Sequence, residues 1–199
     1  MRTREALIRS AAEAVGRDGF TAASLADVSA RAGVSYGALH FHFAGKAALA
    51  EAVGAAALER LAALLGPAAP GAGSRLQRLV DVTHALTRGL ASDPVLRAGF
   101  ALCADAAWAP AADPRAHWRR WVEDLLREAA ERGELRPAAR PEGIATTVVG
   151  ATAGFETLGA RDAAWLAPRT IARFWELLLP ALASPELLAR LDARGAPEA

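Results

Sequence analysis

The sequence predicts an all-α protein, and three observations carry that reading. Alanine, the best helix former, is by far the commonest of the 199 residues. Helix start and stop signals recur along the whole chain. No apolar–polar alternation of strand length occurs, and no fixed-period repeat points to a solenoid. The length allows one domain or two small ones with a real buried core.

The first helix is expected from Arg4 to Arg17, with Ile8, Ala12 and Val15 at helical spacing and Gly19 ending it. Ser24, followed three residues later by Asp27, reads as a capping-box-like start for a short second helix that Gly33 stops. Ser35 is placed to cap a third short helix through about Phe43, and Lys46 opens a long Ala/Leu helix to about Leu65. Gly66 to Gly73 reads as a loop, and Ser74 caps a helix to about Ala91. Asp93-Pro94 and Asp113-Pro114 each put a capping side chain before a proline at the first helical position. Further helices are expected from Pro114 to Gly133, from Pro141 to about Gly159 and from about Pro168, with a short last one from Ser184-Pro185 to about Arg194. The expectation is three short helices followed by six or seven longer ones. The first three are too small for a comfortable core of their own, so the helix from Lys46 is expected to join the two halves.

Composition excludes several function classes. Lys plus Arg is 23 against 22 Asp plus Glu, a formal charge of +1, so bulk charge cannot bind nucleic acid here. Lys46 is the only lysine. The single cysteine, Cys103, excludes an internal disulfide framework and any multi-cysteine metal site. The longest uncharged apolar run, Ile144 to Phe155, is too short to cross a bilayer, and the N-terminus lacks the apolar stretch of a signal peptide. A cytoplasmic protein without membrane contact is expected. His40 and His42 have no third ligand nearby, so neither metal nor cofactor is expected. No G-x-S-x-G, H-E-x-x-H, Walker A or C-x-x-C pattern supports an enzyme.

Residues 25–43 carry the most information. Two short helices around Ala32-Gly33-Val34 match a helix-turn-helix, held together by Leu25, Val28, Val34 and Leu39. That leaves Ser35, Tyr36 and Gly37 free to enter a major groove, with His40 one turn on and on the same face. Taken alone, such a pattern also describes a tight helical corner; the turn sequence, the exposed face and Lys46 together favour DNA.

Gly19-Phe20, Ser24-Leu25, Ala32-Gly33-Val34-Ser35, Gly37-Ala38-Leu39, His42-Phe43 and Lys46 stand in the order and spacing of the TetR family of transcriptional repressors, which residues 4–50 resemble. The resemblance implies a DNA-binding domain over residues 1–46 and a ligand-binding and dimerisation domain over 47–199. It implies operator contacts from Arg4, Ser35, Tyr36, Gly37, His40 and His42, Arg4 reaching out with Arg2 from an N-terminal arm. It further implies a phosphate contact from Lys46, where a cation and helix N-terminal amides converge. His40 replaces the tyrosine usual at its position. Pro94 to Gly99, Trp118 and Trp175 further resemble the γ-butyrolactone autoregulator receptors of that family, with Trp118 at the pocket tryptophan. Tyr36 and Phe155 depart from the basic and polar residues expected there.

The resemblance implies a homodimer on palindromic double-stranded operator DNA, released by a γ-butyrolactone, butenolide or furan-type inducer. Phe100 and Cys103, three apart, are expected to face Trp118 and Trp121, with Phe155 and Trp175 on the far side and Thr147 as a polar contact. Core packing alone would explain the same tryptophans, and a small buried residue the same cysteine. The dimer face is expected on residues 141–158 and 168–179, where Ala145, Gly150, Ala151 and Gly154 permit close approach.

Overall fold

Short polar caps and glycine breaks divide the chain into ten α-helices among the described residues, which in this computed structural model are 2–66, 73–103 and 111–196. They are α1 (Arg2–Ala22), α2 (Leu25–Arg31), α3 (Tyr36–His42), α4 (Lys46–Leu65), α5 (Arg75–Ser92), α6 (Pro94–Leu102), α7 (Pro114–Glu131), α8 (Pro141–Gly159), α9 (Pro168–Leu182) and α10 (Pro185–Leu188), with a 3-10 turn at Ala163–Leu166 before α9. No strand occurs among the described residues; Leu135 and Ala183 form one isolated bridge. Residues 67–72 of the expected loop lie outside the described residues.

The expected caps are made. Ser24 Oγ accepts from the Asp27 amide at 3.1 Å and Ser35 Oγ from the Ala38 amide at 3.1 Å. Asp93 accepts from the Val95 amide at 2.8 Å, Asp113 from the Ala116 amide at 2.9 Å and Ser74 from the Gln77 amide at 3.1 Å. Two boundaries differ. The first helix is long, not short: α1 starts at Arg2, so Arg2 and Arg4 stand in a helical turn and not in an extended arm. It continues through non-helical Gly19 to Ala22. The last helix stops at Leu188, because the chain beyond it is captured by α5. The Gln77 side chain donates to the Asp192 carbonyl at 3.0 Å and accepts from its amide at 2.8 Å. His84, buried, meets the Ala193 carbonyl at 3.0 Å.

By packing the chain forms two compact units, residues 1–63 with 92–116, and 64–91 with 117–199. In the first unit the expected shortage of core is made up by α6. Val95, Ala98 and Leu102 bury among Leu7, Ile8, Ala11, Val15, Val28, Leu39, Leu49 and Val53. Asp93, besides capping α6, pairs with Arg60 of α4 at 2.7 Å. The second unit is built on α5, where Leu76, Leu79, Val80, Thr83, Leu86, Thr87 and Leu90 are all buried. Its first turn is capped from a distance. The buried Glu134 carboxylate accepts from the Arg75 and Leu76 amides, each at 3.0 Å, and from Ser74 Oγ at 2.9 Å.

Cys103 ends α6 with its thiol turned back to the Gly99 carbonyl, 3.2 Å away. Burial pushes the thiol up to about 12 from 9.0; a backbone hydrogen bond from Arg115 opposes this and the negative charge of Asp113 adds to it. The folded protein should therefore present about a thousandfold less thiolate than the unfolded chain near neutral pH. Alkylation by iodoacetamide at pH 8 should be slower than in urea by about that factor. Because the folded value is raised, this group's contribution to stability is complete below pH 9 and is lost as the pH rises from 9.0 toward 12. Equal alkylation rates in native and urea-unfolded protein would refute this.

At Gly99 α6 lies close against α4. A Cβ there would lie 2.2 Å from the Ala57 Cβ, which is fixed to the α4 backbone and cannot rotate away. Gly99→Ala should force α6 outward and cost about 1–3 kcal/mol, the usual scale of overpacking. Urea unfolding followed by circular dichroism measures it, and an unchanged midpoint would show that the contact yields without cost.

Candidate functional site

The exposed side of α3 follows from how α2 and α3 are joined. Gly33 has φ 69°, a conformation that favours glycine, and the Val34 amide reaches the Ser29 carbonyl at 3.0 Å while the Gly33 amide reaches that of Ala30 at 3.1 Å. This pair of bonds ends α2 and redirects the chain into Ser35, the cap of α3. Leu39 is fully buried; Val28 is buried beneath it in the same core, with Leu25 and Val34 packed partly buried around them. With Leu39 turned inward, Ser35, Tyr36, Gly37 and His40 are all exposed, as expected. The Tyr36 and His40 rings meet edge to face, centroids 4.6 Å apart at 72°. A Cβ at Gly37 would touch only Ser35 Oγ, at 4.0 Å, so no contact within the protein requires glycine there.

Phe41 was not among the expected site residues, yet its ring is 86% exposed, beside His42 at 5.3 Å. The signal lay in the spacing. Leu39 and Phe43 both bury, and a residue two from each on a helix must point away from their face. His42 is half-buried. Lys46 opens α4 with its ammonium on the Thr21 carbonyl at 2.8 Å and 4.9 Å from the Phe20 ring centre. Arg4 lies over the Phe43 ring at 5.5 Å.

Of the expected ligand residues, Phe100 and Cys103 belong to the first unit and Trp118, Trp121, Thr147, Phe155 and Trp175 to the second. In the second, Trp118 is buried and stacked on Trp121 at 5.4 Å and 19°. Its indole N–H donates to Thr152 Oγ1 at 2.9 Å. Thr152, and not Thr147, is thus the threonine facing Trp118. Thr147 stands on the exposed side of α8 and donates back to the Gly143 carbonyl at 2.9 Å. Phe155 meets Phe174 edge to face at 5.6 Å, and Phe174 meets Trp175 at 5.0 Å. Trp175 is fully buried, and its Nε1 has no hydrogen-bond partner among the described residues.

The outer side of α8 is bare. A Cβ built at Gly143, Gly150 or Gly154 would meet nothing within 4 Å. Ala145, expected among these small residues, is instead buried inward. On α9, Leu177 is 83% exposed. No helix among the described residues is long and apolar enough to cross a membrane.

Comparison with known proteins identifies two stretches of the chain. Residues 7–53 match the family described as bacterial regulatory proteins, tetR family, and residues 73–184 match the tetracyclin repressor-like C-terminal domain. The A-factor receptor protein of Streptomyces griseus is 27% identical over 196 residues, 98% of this chain and 69% of the relative. The crystal structure of a γ-butyrolactone receptor, an ArpA-like protein, is 30% identical with a TM-score of 0.79 over 94% of this chain and 92% of that one. CprB from Streptomyces coelicolor, solved with its biological operator sequence, is 29% identical with a TM-score of 0.76, covering 94% and 92% of the two chains.

Proposed function

The chain belongs to the tetR family of bacterial regulatory proteins, and from that premise we propose that it is a repressor that holds a palindromic operator as a homodimer and leaves it when a small apolar molecule of γ-butyrolactone, butenolide or furan type binds. The relatives are a receptor for A-factor, a receptor for γ-butyrolactones and a regulator solved on its operator, and their kinds of partner are the ones assigned here. Residues 1–46 are assigned to DNA and 47–199 to ligand and dimer. The assigned place of action is the cytoplasm, and no catalytic role is assigned.

The observation that carries the DNA half is the exposed side of α3, pinned from behind by Leu39. Ser35, Tyr36, Gly37 and His40 are assigned to base edges and the adjacent backbone, with bare Gly37 permitting close approach. Lys46 and the first amides of α4 are assigned to one phosphate. Its ammonium has three donors and spends one on Thr21, which holds it in place with two to spare. Arg4, in the first turns of α1, and His42 are assigned to flanking phosphates.

The ligand half rests on two aromatic groups of the second unit, Trp118 with Trp121 and Phe155 with Phe174 and Trp175. Apolar walls with one or two polar groups suit a lactone or furan carrying an alkyl tail. The ligand releases DNA only if it binds better to a conformation in which the two copies of α3 are wrongly spaced. The dimer half rests on α8 and α9, whose bare glycines and exposed Leu177 fit a four-helix bundle made by two subunits.

Two experiments check this. On a palindrome selected from random DNA, Lys46→Ala should weaken binding to all sequences alike and lower the salt slope by about 1, whereas Tyr36→Ala should cost about 1–3 kcal/mol and change the preferred sequence. Unchanged affinity in gel shifts for both variants would sink the DNA assignment. Leu177→Glu places a charge in the assigned bundle and should give a monomer by light scattering, with operator affinity reduced about a hundredfold through lost bivalency. A dimer that survives this change would move the interface elsewhere.

A further inference from the structure

On the second unit, three arginines converge against the local rules. Arg169 and Arg173 stand one turn apart on α9, and Arg194 comes from the chain after α10. With Pro168, Ala172 and Glu176 they line one cleft of about 370 Å³. All three are exposed, and none of their guanidinium groups has a hydrogen bond or ion pair among the described residues. Glu176 lines the same cleft and pairs with none of them. Arg169 lies in the first turn of α9, where a cation meets the positive end of the helix dipole, and Ala167 before it supplies no side-chain cap.

Arg194 is held in this place from α5. Gln77 bonds both the carbonyl and the amide of Asp192, His84 meets the Ala193 carbonyl, and Asp81 accepts from the Ala196 amide at 2.9 Å. Asp192 Oδ1 accepts from the Arg194 amide at 2.8 Å. Gly195, at φ 72°, closes on the His84 ring, where a Cβ would lie 2.8 Å from Cδ2. A segment strapped down in this way keeps like charges together, and a fixed cluster of donors is what an anion needs. Leu177, assigned above to the dimer, points roughly a quarter turn away from the middle of the cleft.

The charge count favours one occupant. Three guanidinium groups less one carboxylate leave two positive charges, which a phosphoryl dianion matches. Its three terminal oxygens diverge, so arginines from two segments can each take one. A carboxylate has two oxygens in one plane, and a single arginine fork engages both. Pro168 and Ala172 give an apolar floor to any organic remainder.

We propose that this cleft binds a phosphoryl dianion through Arg169, Arg173 and Arg194, as a small-molecule site separate from the aromatic groups given to the inducer.

The test titrates full-length protein in phosphate-free buffer at pH 8, read by calorimetry and phosphorus NMR. The probes are inorganic phosphate, adenosine 5′-monophosphate and the cyclic diester of the same nucleotide. The monoester should bind about tenfold more tightly than the diester, which has one negative charge and one terminal oxygen fewer. Inorganic phosphate binding as tightly as the monoester identifies the free ion as the occupant; a tighter monoester identifies an organic phosphate that uses the floor. Arg194→Gln should weaken the monoester about tenfold, the scale of a charge-assisted hydrogen bond, and Arg194→Lys should recover only part of the loss. Gly195→Ala, which loosens the strap with every charge in place, should weaken it as well. Equal binding of monoester and diester, wild-type affinity in Arg194→Gln, or no binding at millimolar probe overturns the site. So does an Arg173→Gln protein that is monomeric by light scattering, because these arginines then serve subunit pairing.

Discussion

The structure depends first on a shortage of apolar surface. Helices α1 to α3 cannot enclose Leu39 alone, and an α3 without that anchor has no fixed side to offer to anything. The chain meets the shortage by bringing in α4 and, from some fifty residues downstream, α6. Val95, Ala98 and Leu102 complete the core, and Gly99 lets α6 settle against Ala57. Burying a leucine fully is worth about 1.5–3 kcal/mol, so the three large residues that α6 and α3 contribute (Val95, Leu102 and Leu39) exceed any surface ion pair in this unit. Arg17–Asp27 and Arg31–Asp27, both at 3.0 Å and well exposed, add little by comparison. Position of the exposed α3 residues is thus a consequence of packing on their far side.

That solution has a second consequence, which lies in chain connectivity. Because α6 belongs to the first unit while α5 and most of α7 belong to the second, the chain passes between the units three times, near residues 63, 91 and 116. All three passages fall in the terminal turn of a helix: α4 ends at Leu65, α5 ends at Ser92 and α7 begins at Pro114. The expected single joining helix is therefore one of three links.

Legibility in the sequence followed the range of the interaction. Ser24, Ser35, Asp93 and Asp113 could be read as caps because each bonds an amide two or three residues away, so residue type and spacing contain the whole interaction. The exposed residues of α3 were readable for the same reason, since Leu39 fixes the helix phase. Interactions between distant residues were not. Nothing local marks Glu134 as the cap of α5, Gln77 as the clamp that stops α10, or Gly99 as the seat of α4. In the candidate ligand site the residue types were legible and the contacts were not. Thr147 and Thr152 punctuate the same apolar run, and only packing turns Thr152 toward Trp118 and leaves Thr147 outside. Phe100 and Cys103 show the related limit: helical spacing groups them, but cannot say to which packed unit their helix belongs.

Operator release under the proposed function has a definite energetic scale. An unpaired buried donor costs about 1–3 kcal/mol, and that cost is present whenever Trp175 is enclosed without an acceptor. An effector changes operator affinity only by its differential binding to two conformations, and useful coupling is about 1–3 kcal/mol, or roughly 5–150-fold. One hydrogen bond gained in a single conformation is of that size. Tight binding by the apolar tail adds affinity to both conformations and so contributes nothing to release unless the walls themselves differ.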